Sequence, residues 1–334
     1  MKTKWYLFFL TIITVSIVII NLISIEKNAT YKIGVLSAGE SRQEKYLGLQ
    51  EGLAELGYKD EDFTFIVKDA VDDIDVLNNH IDEILSEEVD LIVTLGGIET
   101  IQLQKKLAEV NLELPVVFAG IADPQEIGII ADHRSPGNYF TGINNFHTSL
   151  SGKRLELFQA LIPNLERVFA VYDQSVEASK RSLELSLKAA QQLHIEVIPV
   201  DATNPAYREL IEKQIKTHDA LFILPSYYIE SLTEEIVQFS NQYRLPVMGL
   251  YENEVKSGYA ASYGTSFFDQ GYQAARFVSS IIQGNSPSEL PVELPDRLRF
   301  IVNKQVVERY NSVINQDLLS IAEFIEEAAE GEER

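Results

Sequence analysis

The sequence contains no cysteine. That excludes disulfides, thiolate metal sites, a cysteine nucleophile and a lipid-modified cysteine anchor. Positive charge is also scarce: 28 Lys and Arg stand against 50 Asp and Glu, for a net charge of −22. Such a surface repels phosphate backbones, so no nucleic-acid partner is expected. Several signatures of chemistry are missing as well. There is no G-x-G-x-x-G, Walker lysine, G-x-S-x-G or H-E-x-x-H. The five histidines, His80, His133, His147, His194 and His218, include no pair at metal-ligand spacing. Neither an enzyme, a cofactor nor a metal site is expected.

Long apolar runs are equally rare, and one alone is long enough to span a bilayer. Trp5–Ile25 holds 21 residues without a charge, or roughly 30 Å of helix. Lys2 and Lys4 precede it, so the positive-inside rule places Met1 in the cytoplasm and residue 31 onward outside. A cleaved signal peptide has a shorter core of ~7–15 residues ending at a small-x-small site. "LISIEKNA" is a poor site of that kind. The expectation is an uncleaved, single-pass cell-membrane anchor at residues 1–30 carrying an extracytoplasmic body.

From residue 31 onward, short apolar runs alternate with amphipathic stretches. "KIGVL" (32–36), "FTFIV" (63–67), "DLIVTL" (90–95) and "LPVVFAG" (114–120) read as strands. Between them, 44–58, 75–87 and 98–109 read as helices. In 44–58, Leu47, Leu49, Leu53 and Leu56 form the apolar face and Gly57 the C-cap. The pattern then restarts. "RVFAVY" (167–172), "IEVIPV" (195–200), "DALFIL" (219–224) and "LPVMGL" (245–250) read as strands, with helices at 179–193, 207–216 and 229–242. "DLIVTL…LPVVFAG" matches "DALFIL…LPVMGLY", with Asp90 to Pro115 spanning 25 residues and Asp219 to Pro246 spanning 27.

The fold class is therefore α/β: two Rossmann-like lobes with parallel sheets. "YAASYG" (259–264), a helix at 267–283, "RFIV" (299–302) and "KQVVERY" (304–310) complete it. Crossings near 144–148, 264–266 and 288–296 make a multi-strand hinge. Lobe 1 is expected at 31–145 plus 265–290, lobe 2 at 146–264 plus 291–316, and an acidic, frayed helical tail at 317–334.

Ligands of open α/β sheets gather beyond the carboxyl ends of the strands. Gly96 and Gly97 end the third strand and leave backbone N–H groups uncovered at a helix start, a setting that favours an anion. The other strand ends contribute Ser37, Gly39, Gly120, Asp123, Ser175, Ser226, Tyr227, Tyr228, Tyr251, Glu252 and Ser266. Small and aromatic residues dominate, which suits a small organic ligand held by hydrogen bonds and stacking.

"GLQEGLAELGY", "VDLIVTLG", "LPVVFAGIADPQEIGII", "NYFTGINN", "LELFQALIPNLERVFAVYD", "LPVMGLYENEVKSGYAASYGTSFFDQGYQAA" and "LPVELPDRLRFIVNKQVVERY" together resemble bacterial ABC-transporter substrate-binding proteins of the type-I periplasmic-binding fold, the group that includes TrpX-like proteins. The resemblance covers about residues 32–310. It implies a two-lobed clamp that delivers a small, amino-acid-like or aromatic ligand to an ABC permease and ATPase. An extracytoplasmic sensor acting through a partner signalling protein is the alternative. The chain departs from the family's pattern at the site. Gly97-Ile98 replace a Thr-Pro pair, Pro225-Ser226-Tyr227-Tyr228 replace Pro-Thr-Asp-Asn, and Ser266 replaces an acidic residue. The missing carboxylates are ones that help hold an α-ammonium. Glu252 aligns with a commonly acidic position.

Overall fold

The computed structural model describes residues 30–162, 164–310, 318 and 320–325. The expected anchor helix lies outside the described residues. Among those described, no helix is long and apolar enough to cross a membrane.

Lobe 1 is built on β1 (Tyr31–Ser37), β2 (Phe63–Asp69), β3 (Leu91–Thr94), β4 (Val116–Ile121) and β5 (Phe140–Asn144). All five are parallel, in the order β2-β1-β3-β4-β5. Side chains alternate across the pleat. Ile33, Val35, Leu91 and Val93 enter one core, beneath α1 (Gln43–Glu55) and α10 (Phe267–Ile282). Leu36, Ile92, Val116 and Phe118 enter the other, beneath α2 (Ile74–Ser86) and α3 (Gly97–Val110). The buried face of α1 is not the leucine face read from the sequence. Lys45, Gly48, Leu49, Gly52 and Leu53 are buried, whereas Leu47 and Leu56 are half exposed. The small residues win because α10 lies against them at backbone distance.

Lobe 2 repeats the pattern. It comprises β6 (Arg167–Tyr172), β7 (Glu196–Asp201), β8 (Asp219–Ile223), β9 (Val247–Gly249) and β10 (Ala261–Gly264). Their order, β7-β6-β8-β9-β10, is that of lobe 1 shifted by five strands. Two further strands extend this sheet: β11 (Arg299–Asn303), antiparallel to β10, and β12 (Ala322–Ile325), parallel to β11. The second sheet is thus not wholly parallel. The expected frayed helix is also corrected, because residues 322–325 of the acidic tail form an edge strand. Phe324 packs on the lobe 2 core, and Arg299 pins Glu323 with Nη2–Oε2 at 2.5 Å. The helices of this lobe are α4 (Ser151–Leu161), α5 (Glu177–Leu193), α6 (Tyr207–Glu212), α7 (Tyr227–Ser231), α8 (Thr233–Tyr243), α9 (Glu252–Ser257) and α11 (Lys304–Arg309). The single helix expected at 229–242 is divided into α7 and α8.

The chain passes between lobes three times. It leaves β5 for α4, and it returns from β10 to α10. The last passage follows a stretch that stays with lobe 1: Thr141 Oγ1 donates to the Leu290 carbonyl, and Glu293 N donates to the Gly142 carbonyl. The boundary expected at 290/291 therefore falls after Glu293.

Candidate functional site

The carboxyl ends of both sheets face one cleft, and the lobes are closed over it. Tyr227 on α7 donates its hydroxyl across the cleft to the Ala38 carbonyl at 3.2 Å and to Asp72 Oδ1 at 2.5 Å. Burial, and then the bond to Asp72, raise the pKa of this phenol. Ser41 Oγ donates to Glu230 Oε1 at 2.8 Å. Between these bridges lies a cavity of about 140 Å³. Ile98, Ile101, Ile121 and Ile127 wall it from lobe 1, Val176, Pro225, Tyr227 and Tyr251 from lobe 2, and Phe267 from the hinge side. Tyr251 packs between Phe267 and His147, at ring separations of 4.4 and 4.7 Å.

The two cations of the cavity sit on an element that a strand-end search passes over. Arg42 precedes α1 and is 4% exposed. Its Nη1 donates to both oxygens of Glu99, at 2.6 and 2.5 Å, and its Cζ lies 4.8 Å from the Tyr227 ring centre. Burial opposes the charge of Arg42, but Glu99 and Glu230 outweigh it, and the net pKa is raised. Lys45, one helical turn on, donates from Nζ to the carbonyls of Ala119 and Gly120 at 2.9 and 3.1 Å. Burial, reinforced by Arg42, lowers its pKa to about 7. Asn145, Ser226 and Glu230 complete the polar lining. Ser226 is oriented by its bond to the buried Asp173, at 2.8 Å.

Gly96 has an extended backbone, with φ −170°, so conformation does not require glycine there. Space does: a Cβ would overlap the guanidinium of Arg42 and the carboxylate of Glu99. Gly97 has no atom within 4 Å of such a Cβ. We expect Gly96→Val to displace Arg42, to cost about 1–3 kcal/mol and to weaken ligand binding by about tenfold or more. Gly97→Ala is expected to stay within about 0.5 kcal/mol of the parent. Thermal melts and titration calorimetry on the pair check both statements.

Of the residues singled out from the sequence, Gly96, Gly97, Gly120, Ser226, Tyr227 and Tyr251 line the cavity. The others do not. Ser37 Oγ is turned to the Gly39 carbonyl, and Gly39 itself packs on Asp72. Asp123 occupies a left-handed turn, φ 53°, beyond β4. Ser175 is exposed and bonded to Asp173. Tyr228 is 44% exposed, one residue out of phase with Tyr227. Glu252 is held by Arg299 at 2.5 Å and Lys256 at 2.9 Å. Ser266 caps α10 by accepting from Asp269 N. The reading missed Arg42, Lys45 and Glu230. The available signal was a glutamate closing "PSYYIE"; nothing local marks Arg42 and Lys45.

The comparisons with known proteins agree with this fold. The chain is 24% identical over 263 residues to the tyrosine-binding protein of Clostridioides difficile (strain R20291), covering 78% of this chain and 74% of that one. It is 23% identical over 289 residues to an uncharacterised protein, RP367, of Rickettsia prowazekii (strain Madrid E), covering 83% of each. Among solved structures, an ABC domain from Streptococcus pneumonia in complex with L-Trp superposes with a TM-score of 0.79 at 24% identity, over 88% of this chain and 99% of that one. A conserved domain protein from Vibrio cholerae gives 0.78 at 24% identity, with the same coverage. These likenesses extend the fold assignment to the whole two-lobed body. Residues 32–325 match the family described as ABC transporter substrate binding protein, and the chain belongs to that family.

Proposed function

We propose that this protein captures a small organic molecule, amino-acid-like or aromatic, between its lobes and delivers it to the permease and ATPase of an ABC importer. One observation carries the proposal: a cavity between the lobes with isoleucine and aromatic walls, whose polar groups come from both lobes. Its volume of about 140 Å³ is close to that of a cavity that holds benzene, the ring of an aromatic amino acid. Ligand contacts on both sides favour the closed state by their differential affinity, so closure becomes a population shift. The tyrosine-binding relative and the L-Trp complex support this ligand class. We further propose that residues 1–30 tether the body to the outer face of the cell membrane, on the strength of Lys2, Lys4 and the uncharged run after them.

Mass spectrometry of the purified protein is expected to find a carried ligand of this class. Calorimetry after its removal is expected to give saturable, one-to-one binding of L-tyrosine or L-tryptophan. No saturable binding of any small metabolite would sink the proposal. Protease added to intact spheroplasts is expected to digest the body; full protection would refute the orientation.

A further inference from the structure

The polar end of the cavity divides its charge between the lobes. Arg42 comes from lobe 1 and Glu230 from lobe 2, with side chains 5% and 8% exposed. Glu99 occupies Nη1 of the guanidinium with both oxygens. Nη2 reaches Glu230 Oε2 only at 3.4 Å, long beside the roughly 2.7–2.9 Å of a closed charge-assisted bond. The other oxygen of Glu230 accepts from Ser41 alone among the described hydrogen bonds. A guanidinium carries five donors and a carboxylate about four acceptor sites, so both groups keep capacity on the cavity side. Lys45 and the charged groups that act on it make two cations, Arg42 and Lys45, against two anions, Glu99 and Glu230. Below the lowered pKa of Lys45 the charges of these four cancel, and a ligand without net charge leaves that balance intact. A net anion or cation would bring an unpaired charge into a buried space.

From this stretched pair, and resting on the ligand-capture function proposed above, we infer that Arg42 and Glu230 are the split handle for the zwitterion of an α-amino acid. The carboxylate takes Arg42 Nη2 and the ammonium takes Glu230. Glu230 lies three residues beyond Tyr227, one turn of α7, and brings a carboxylate to the cavity. Since the two halves of the handle sit on different lobes, a ligand bearing both charges adds a fastening between them.

Calorimetry with L-tyrosine, its des-amino analogue 3-(4-hydroxyphenyl)propanoate and its decarboxylated analogue tyramine tests the inference. The wild-type protein is expected to bind L-tyrosine about 100-fold more tightly than either analogue, because each analogue leaves one buried charge unpaired. In Glu230→Gln the preference over the des-amino analogue is expected to fall to about threefold or less, with the preference over tyramine retained. Glu230→Asp, which keeps the charge, is expected to keep a des-amino discrimination of about tenfold and serves where Glu230→Gln does not fold. An undiminished des-amino preference in Glu230→Gln overturns the handle and leaves ligand capture standing. So does wild-type protein that is saturated only by a neutral solute such as a sugar. Wild-type protein that binds no small molecule overturns both.

Discussion

Gly271→Leu is expected to unfold lobe 1, and even Gly271→Ala is expected to lower stability by about 2 kcal/mol. The argument rests on how α1 meets α10. A Cβ at Gly271 would overlap the backbone carbonyl of Lys45. In the opposite direction, Cβ atoms at Gly48 and Gly52 would overlap the carbonyls of Phe268 and Tyr272. Backbone atoms cannot rotate aside as side chains do, so the helices must separate. Their separation opens the core made by Leu49, Leu53, Ala274, Ala275 and Val278. It also moves Lys45, and Arg42 at the start of the same helix, out of the cavity. Intrinsic propensity acts the other way, since alanine is better than glycine in a helix by up to about 1 kcal/mol. A loss in Gly271→Ala is therefore a lower bound on the steric cost. Urea denaturation measures it, with Gly97→Ala as the control, and a Gly271→Ala protein as stable as its parent would remove the argument.

The helix pair also marks where the sequence stops being readable. The strands of both lobes are legible because β-rich apolar runs of parallel sheets are buried on both faces, and the repeat of order follows from their spacing. β5 is harder to see: "FTGIN" is short and holds a glycine, and it is buried only because the 290–293 stretch and α10 cover it. β12 is invisible for a similar reason. "AEFI" gains strand character from its ladder with β11 and from Arg299, neither of which is local. At the site, Gly96, Tyr227 and Tyr251 can be found because strand ends are where such folds bind ligands. Arg42 and Lys45 cannot, because their partners are Glu99 on α3, Glu230 on α7 and two carbonyls of β4. Four distant segments make one polar end, and no spacing in the chain records that. A lysine beside glycines on a helix face reads as solvated until the helix packed against it is known.

Replacing Glu254 by Gln is expected to stabilise the protein at pH 8 and to leave it nearly unchanged at pH 4.5. Glu254 is 1% exposed, and its Oε2 accepts from Leu250 N at 2.6 Å and Tyr251 N at 2.8 Å. Burial pushes its pKa from 4.5 up to about 7; the two N–H groups and Arg154 pull the other way and Glu230 adds to the rise. The folded chain thus keeps a proton that the unfolded chain has released. Stability from this group is fully present below pH 4.5 and lost as pH rises through 7, a loss of about 3 kcal/mol. Lys45 contributes the opposite limb. Its folded pKa is about 7 against 10.5, so its penalty is complete below pH 7 and lifts as pH rises through 10.5. Together the two make the unliganded protein weakest near neutrality. The net charge of −22 superimposes a general repulsion, so the informative quantity is the difference between wild type and variant at each pH. For Glu254→Gln the melting-temperature difference is expected to grow by about 5 °C or more between pH 4.5 and 8. For Lys45→Met the gain is expected at pH 6 and is expected to vanish by pH 10.5. A difference for Glu254→Gln that stays constant with pH would mean that the carboxylate is ionised in the fold throughout. The buried Arg154, whose Nε and Nη1 have no hydrogen-bond partner, would then be its counter-charge, and a Glu254→Gln/Arg154→Met double variant would recover what the single variant loses.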